Sequence, residues 1–140
     1  MNTLYTAEAL SAGHGREGRV STSEETFNVT LAPPRELGGL GEGTNPEQLF
    51  AAGFAAYFHS ALHAVARGKK INIENSTVGG RMQIGNNDVG GFKLAVELEV
   101  TSPDLPYEQA QELADAAHLV CPYSKATRGN IDVIVLVSND

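Results

Sequence analysis

Cysteine is almost absent from this chain. Its 140 residues include one, Cys121, so no disulfide can form within it, and a disulfide-stapled secreted scaffold is excluded. Basic charge is scarce as well. Ten Lys and Arg stand against 17 Asp and Glu, a net charge of −7. Such a surface repels phosphate backbones, so nucleic acid is not an expected partner. The longest basic run, Arg67-Gly68-Lys69-Lys70, falls where a helix should end and reads as a dipole partner in a solvated turn. Long apolar runs are missing too. Leu49 to Phe58 is the longest, about half a membrane span, so no membrane partner is expected. Met1-Asn2-Thr3-Leu4-Tyr5 has neither the charged start nor the apolar run of a signal peptide, and the expected location is cytoplasmic. No Gly-x-Gly-x-x-Gly follows a strand and no Gly-Lys-Ser/Thr loop occurs. Neither a dinucleotide nor any other cofactor is expected.

What remains is an ordinary globular mix, 41% hydrophobic and 19% charged, sized for a single domain over residues 1–140. The first third reads as strands. Leu4 to Ala9 and Arg19 to Ser21 flank the turn Gly13-His14-Gly15-Arg16-Glu17-Gly18, and Phe27, Val29 and Leu31 alternate with Asn28 and Thr30. Pro33-Pro34 ends that strand. A loop with four glycines, Glu36 to Gly43, follows. It can approach another chain or a ligand closely, or serve as a mobile connector.

Asn45-Pro46 should open a helix reaching about Arg67, with Asn45 as N-cap and Pro46 in the first turn. Leu49 to Phe58 has no polar face, which predicts burial on every side and a partner subunit to complete it. Thr77 to Ile84 and Phe92 to Thr101 read as strands, about Pro106 to Val120 as a second helix, and Ile131 to Val137 as a closing strand. Cys121-Pro122 breaks the second helix, and a short helical piece can follow. This order predicts an α+β fold with mostly antiparallel sheet.

Three residues invite chemistry. Arg16, held among glycines, can fold over a pocket and favour an anion, or simply be an exposed turn residue. Glu47 lies in the first helical turn, where a carboxylate is stabilised whether or not it has another role. Cys121 lies beside a helix N-terminus, where thiolates are favoured; it can equally be a small buried hydrophobe. His59 and His63 lie four apart on a helix, as metal ligands often do. Ser60 replaces the glutamate of a zinc-protease motif and no third ligand is evident, so no metal is expected.

Together these segments resemble the organic hydroperoxide resistance (Ohr) proteins of the Ohr/OsmC superfamily. The likeness runs from Leu4-Tyr5-Thr6-Ala7 and Gly15-Arg16-Glu17-Gly18-Arg19 through Glu36-Leu37-Gly38-Gly39. It continues in Gly43-Thr44-Asn45-Pro46-Glu47-Gln48-Leu49-Phe50-Ala51-Ala52-Gly53 and Ala117-His118-Leu119-Val120-Cys121-Pro122-Tyr123-Ser124. It ends in Ala126-Thr127-Arg128-Gly129-Asn130-Ile131-Asp132-Val133. The resemblance implies an OsmC-like fold, an intertwined homodimer with central buried helices, and active sites near the subunit interface. It also implies a chemistry. A peroxidatic thiolate attacks an organic or lipid hydroperoxide and becomes a sulfenic acid, a resolving cysteine condenses with it, and a lipoylated protein or other dithiol resets the pair. An arginine and a glutamate hold the thiolate reactive.

By this resemblance Arg16 matches the arginine, Glu47 the glutamate and Cys121 the resolving cysteine. The peroxidatic cysteine would lie ten residues beyond the glutamate, where this chain has Tyr57. A phenol, with a pKa of about 10, cannot take that role. Tyr57 is then a candidate third member of a hydrogen-bonded group with Arg16 and Glu47. The expected function is that of an Ohr protein with impaired or lost turnover and a retained hydrophobic pocket. The alternatives are a one-cysteine peroxidase using Cys121 and a non-catalytic partner of a complete Ohr subunit.

Overall fold

A computed structural model describes residues 1–138 of the chain. It forms two compact units, Met1–Leu49 and Phe50–Asp140.

The first unit is a three-stranded antiparallel sheet of β1 (Ala9–Ala12), β2 (Arg19–Thr22) and β3 (Asn28–Thr30), in that order. Ala9 stands opposite Thr22 and Val20 opposite Val29. The strand expected over Leu4 to Ala9 is corrected here: residues 1–8 carry no secondary structure, and pairing starts at Ala9. The physical reason is a missing neighbour. Among the described residues no strand pairs with residues 1–7, and Leu4 and Tyr5 are 93% and 83% exposed. The turn between β1 and β2 closes with a Gly18 N–H to Gly15 carbonyl bond of 3.0 Å. A Cβ on Gly18 would collide with the Ala12 carbonyl, so only glycine lets the chain return here.

The glycine loop after Pro34 is ordered by bonds from the Gly39 and Gly41 amides to the Pro34 and Pro33 carbonyls. A parallel bridge from Leu31 to Thr44 leads the chain into the long helix α1 (Pro46–Gly68). The Asn45 side chain accepts the Gln48 amide proton at 2.8 Å, the capping bond its sequence position predicts.

In the second unit β4 (Thr77–Asn86) pairs antiparallel with β5 (Phe92–Thr101), and β5 pairs parallel with β6 (Asp132–Ser138). The register places Met82, Val96 and Val133 on one face with Val78, Val100 and Val137. That face joins the core, while Arg81 on the other bonds Glu97 and Glu99. Helices α2 (Tyr107–Val120) and α3 (Pro122–Thr127) make the crossover from β5 to β6. α2 buries Ala110, Leu113, Ala114 and Ala117, and α1 buries Phe54, Phe58, Ala61, Leu62 and Ala66, both at helical spacing. Gly80 on β4 lets α1 come close: a Cβ there would stand 2.8 Å from the Ala51 carbonyl oxygen.

The architecture is α+β with two sheets and three helices, as the element order predicts. Within one chain α1 keeps an exposed flank of Ala52, Ala56, Tyr57, Ser60 and Ala64. By length and composition α1 could cross a membrane, yet its large apolar residues Phe54, Phe58 and Leu62 are committed to the core.

Candidate functional site

In the first unit, Arg16 projects from the glycine turn and Glu47 from the first turn of α1. Arg16 Nη2 lies 3.4 Å from Glu47 Oε1, with side chains 45% and 18% exposed. The bond is long for a charge-assisted pair, and a single contact between partly exposed groups contributes about 0–1 kcal/mol. Glu47 Oε2 is buried and has no hydrogen-bond partner among the described residues. A buried acceptor left open is costly in a finished structure and available to a donor that arrives from outside.

In the second unit, Tyr57 stands on α1 one turn beyond Phe54 and two beyond Phe50. Its ring meets Tyr123 of α3 edge-on, with centroids 4.7 Å apart at 86°. Tyr123 also stacks on Phe50 at 5.9 Å and meets the edge of Phe54 at 5.7 Å. The Tyr123 ring lies against Gly53, where an added Cβ would meet Tyr123 Cε2 at 3.4 Å. Tyr57 is 45% exposed, and its hydroxyl has no hydrogen-bond partner among the described residues.

Cys121 occupies the elbow between α2 and α3, as the last cap of one and the first of the other. Its amide bonds the Ala117 carbonyl at 2.8 Å and its carbonyl accepts the Lys125 amide proton at 3.0 Å. The thiol is free and fully buried, in the cluster with Phe58, Leu113 and Ala117. A clasp surrounds the elbow. His118 Nδ1 lies 2.8 Å from Ser124 Oγ, and Arg128 Nη2 donates to the His118 carbonyl at 2.6 Å. Burial, then the Arg128 charge, holds the His118 pKa below its ordinary 6.5, against an upward pull from Asp115.

The structure thus brings Arg16 to Glu47 and links Tyr57 to the segment just beyond Cys121 through Tyr123. Sequence reasoning missed the aromatic group and the clasp. Phe50, Phe54 and Tyr57 at helical spacing signal a shared face, but nothing local shows that Tyr123 closes over it. No group of three or more potential metal ligands occurs among the described residues.

Comparison with known proteins fits this arrangement. The family model for OsmC-like proteins matches residues 39–135. The organic hydroperoxide resistance protein of Xanthomonas axonopodis pv. citri (strain 306) is 48% identical over 137 residues, covering 96% of this chain and 95% of its own. The crystal structure of an organic hydroperoxide resistance protein from Elizabethkingia anophelis, with thiocyanate bound, superposes with a TM-score of 0.93 at 45% identity, covering both chains completely. One from Vibrio cholerae O1 biovar eltor, with captopril bound in one of its active sites, gives 0.91 at 47% identity, covering 98% of this chain and 94% of the other. At these identities and coverages, with the sheets and helices in place, the chain belongs to the OsmC-like family and, within it, to the organic hydroperoxide resistance proteins.

Proposed function

We propose that this protein keeps the ligand pocket of organic hydroperoxide resistance proteins and has lost their thiol peroxidase turnover. Tyr57 carries the reading. It stands ten residues beyond Glu47, where the resemblance places the attacking cysteine. A thiolate attacks the distal peroxide oxygen, releases an alcohol and is left as a sulfenic acid. A phenol offers no such sulfur, and its ring fills more space than a thiol.

Arg16 and Glu47 are the proposed charged pair of the site, and the open acceptor Glu47 Oε2 is suited to the O–H of a hydroperoxide. Cys121 is the proposed counterpart of the resolving cysteine. The captopril bound in an active site of the Vibrio cholerae relative supports a pocket that still accepts a small organic molecule here. A homodimer in the cytoplasm completes the proposal. Support for a second subunit comes from the exposed Leu4 and Tyr5 and from the exposed apolar flank of α1. A one-cysteine peroxidase using Cys121 is disfavoured by the complete burial of its thiol. That burial also removes the thiol from a lipoylated or other dithiol reductant.

The test is consumption of an organic hydroperoxide with dihydrolipoamide as reductant. The wild-type chain is expected to be inert and Tyr57→Cys to gain turnover. Turnover by the wild type that disappears in Cys121→Ser would assign the chemistry to Cys121 and overturn the proposal.

A further inference from the structure

α3 is six residues long, too short to keep a helical shape without outside support. Two side-chain hydrogen bonds tie it and its C-cap, Arg128, to α2, and both end on His118. Ser124 Oγ meets its Nδ1, and Arg128 Nη2 meets its carbonyl. Ser124 is fully buried, so its hydroxyl proton depends on the imidazole for an acceptor. The residue before it is Tyr123, whose ring lies on Phe50, Phe54 and Tyr57. One partly exposed imidazole therefore holds the base of the segment that carries this aromatic wall.

We infer that His118 is a pH-sensitive latch on the wall: neutral, it holds α3 by accepting the Ser124 hydroxyl proton at Nδ1, and protonated, it releases Tyr123 from Tyr57. An imidazolium carries a proton on both nitrogens and has no acceptor left. The Ser124 O–H then loses its partner in a buried place, which is costly. The charges acting on His118 favour release. Arg128, beyond α3, repels the new charge and Asp115 on α2 attracts it, and burial together with Arg128 outweighs Asp115. α1 presents an uncharged group, the Phe58 ring, 6.4 Å away. Because Tyr57 carries the proposed function, the latch regulates that same site and rests on that reading for its purpose. The tyrosine contact itself can be followed with no ligand and no turnover.

The test is an NMR titration of the full-length protein, with labelled tyrosine rings and imidazole nitrogens, from about pH 7.5 to about pH 5. At the start His118 should be the Nε2–H tautomer. As it takes up its proton, the ring-current shifts between Tyr57 and Tyr123 should collapse with the same midpoint. Tyr5, Tyr107 and the β4–β6 amides should hold. In His118→Asn the side-chain oxygen can stand where Nδ1 stands and accept the Ser124 proton at every pH, so the tyrosine shifts should lose their pH dependence. Tyrosine shifts that stay constant while His118 titrates would overturn the latch, as would an Nδ1–H tautomer or an unaltered transition in His118→Asn. Loss of the β4–β6 amides in the same step would mean global unfolding and would overturn it too. Hydroperoxide turnover by the wild type would sink the proposed function and leave these outcomes as they are.

Discussion

Tyr57 and Gly80 illustrate how single side chains govern this molecule. The Tyr57 ring meets Tyr123 edge-on, and its hydroxyl has no hydrogen-bond partner among the described residues. Gly80 acts through the absence of a side chain. Gly80→Ala would push a Cβ onto the Ala51 carbonyl at 2.8 Å and to within 3.3 Å of Ala55 Cβ. Overpacking of this kind costs about 1–3 kcal/mol, and urea unfolding of the variant should show it. His118 ties stability to pH. Its folded pKa lies below the ordinary 6.5, so the unfolded chain takes up the proton more readily. Above the unfolded value there is no penalty. As pH falls through that value toward the folded one, stability is lost. His118→Asn should therefore reduce the drop in Tm between about pH 7.5 and about pH 5.5, because a group that binds no proton removes that linkage. An unchanged slope would place the pH dependence on other groups.

At the scale of elements, α1 is the organising piece. Its start is legible in sequence because Asn45 and Pro46 are local signals, and the Asn45 side chain caps the helix as predicted. Its end is less legible. Ile71 N–H reaches the Ala66 carbonyl and Lys70 N–H the Arg67 carbonyl, and Lys70 itself has φ of 58°. This is the left-handed terminator that usually employs glycine. A residue with a Cβ is strained there by about 1–2 kcal/mol. Glycine relieves that strain and adds unfolded-chain entropy, so Lys70→Gly should change stability by about +1 kcal/mol or less. Thermal unfolding measures it, and a clear loss would mean that the Lys70 side chain has a stabilising contact. The basic run ending at Lys70 reads as a solvated turn from sequence, and it is one. Its backbone conformation is set by the helix closing on Ile71, which composition does not reveal.

For the whole molecule, the exposed apolar residues carry the strongest expectation. Leu4 and Tyr5 stand in a segment without a pairing strand among the described residues, and α1 leaves Ala52, Ala56 and Tyr57 uncovered. Burying one leucine side chain is worth about 1.5–3 kcal/mol. If a second copy covers this segment, deletion of residues 1–8 should weaken self-association strongly in sedimentation experiments. An unchanged monomer–dimer equilibrium would place the subunit contact elsewhere.

Sequence alone determined the α+β class, the strands and helices from Phe27 onward, and the family. These rest on local periodicity, on turn and cap residues, and on long motifs in fixed order, all of which act over a few neighbouring positions. It also singled out Arg16, Glu47, Tyr57 and Cys121 as residues to weigh. Tertiary structure alone decided that strand pairing begins at Ala9 and that α1 has an exposed flank within one chain. It also decided that Tyr123 closes on Tyr57, that His118 and Ser124 clasp the Cys121 elbow, and that Ser76 reaches His59. Those facts join residues up to 66 positions apart, as with Tyr57 and Tyr123. No local propensity encodes such contacts. They exist because burying the apolar faces of α1, α2 and the β4–β6 sheet together leaves these side chains only a few places to go.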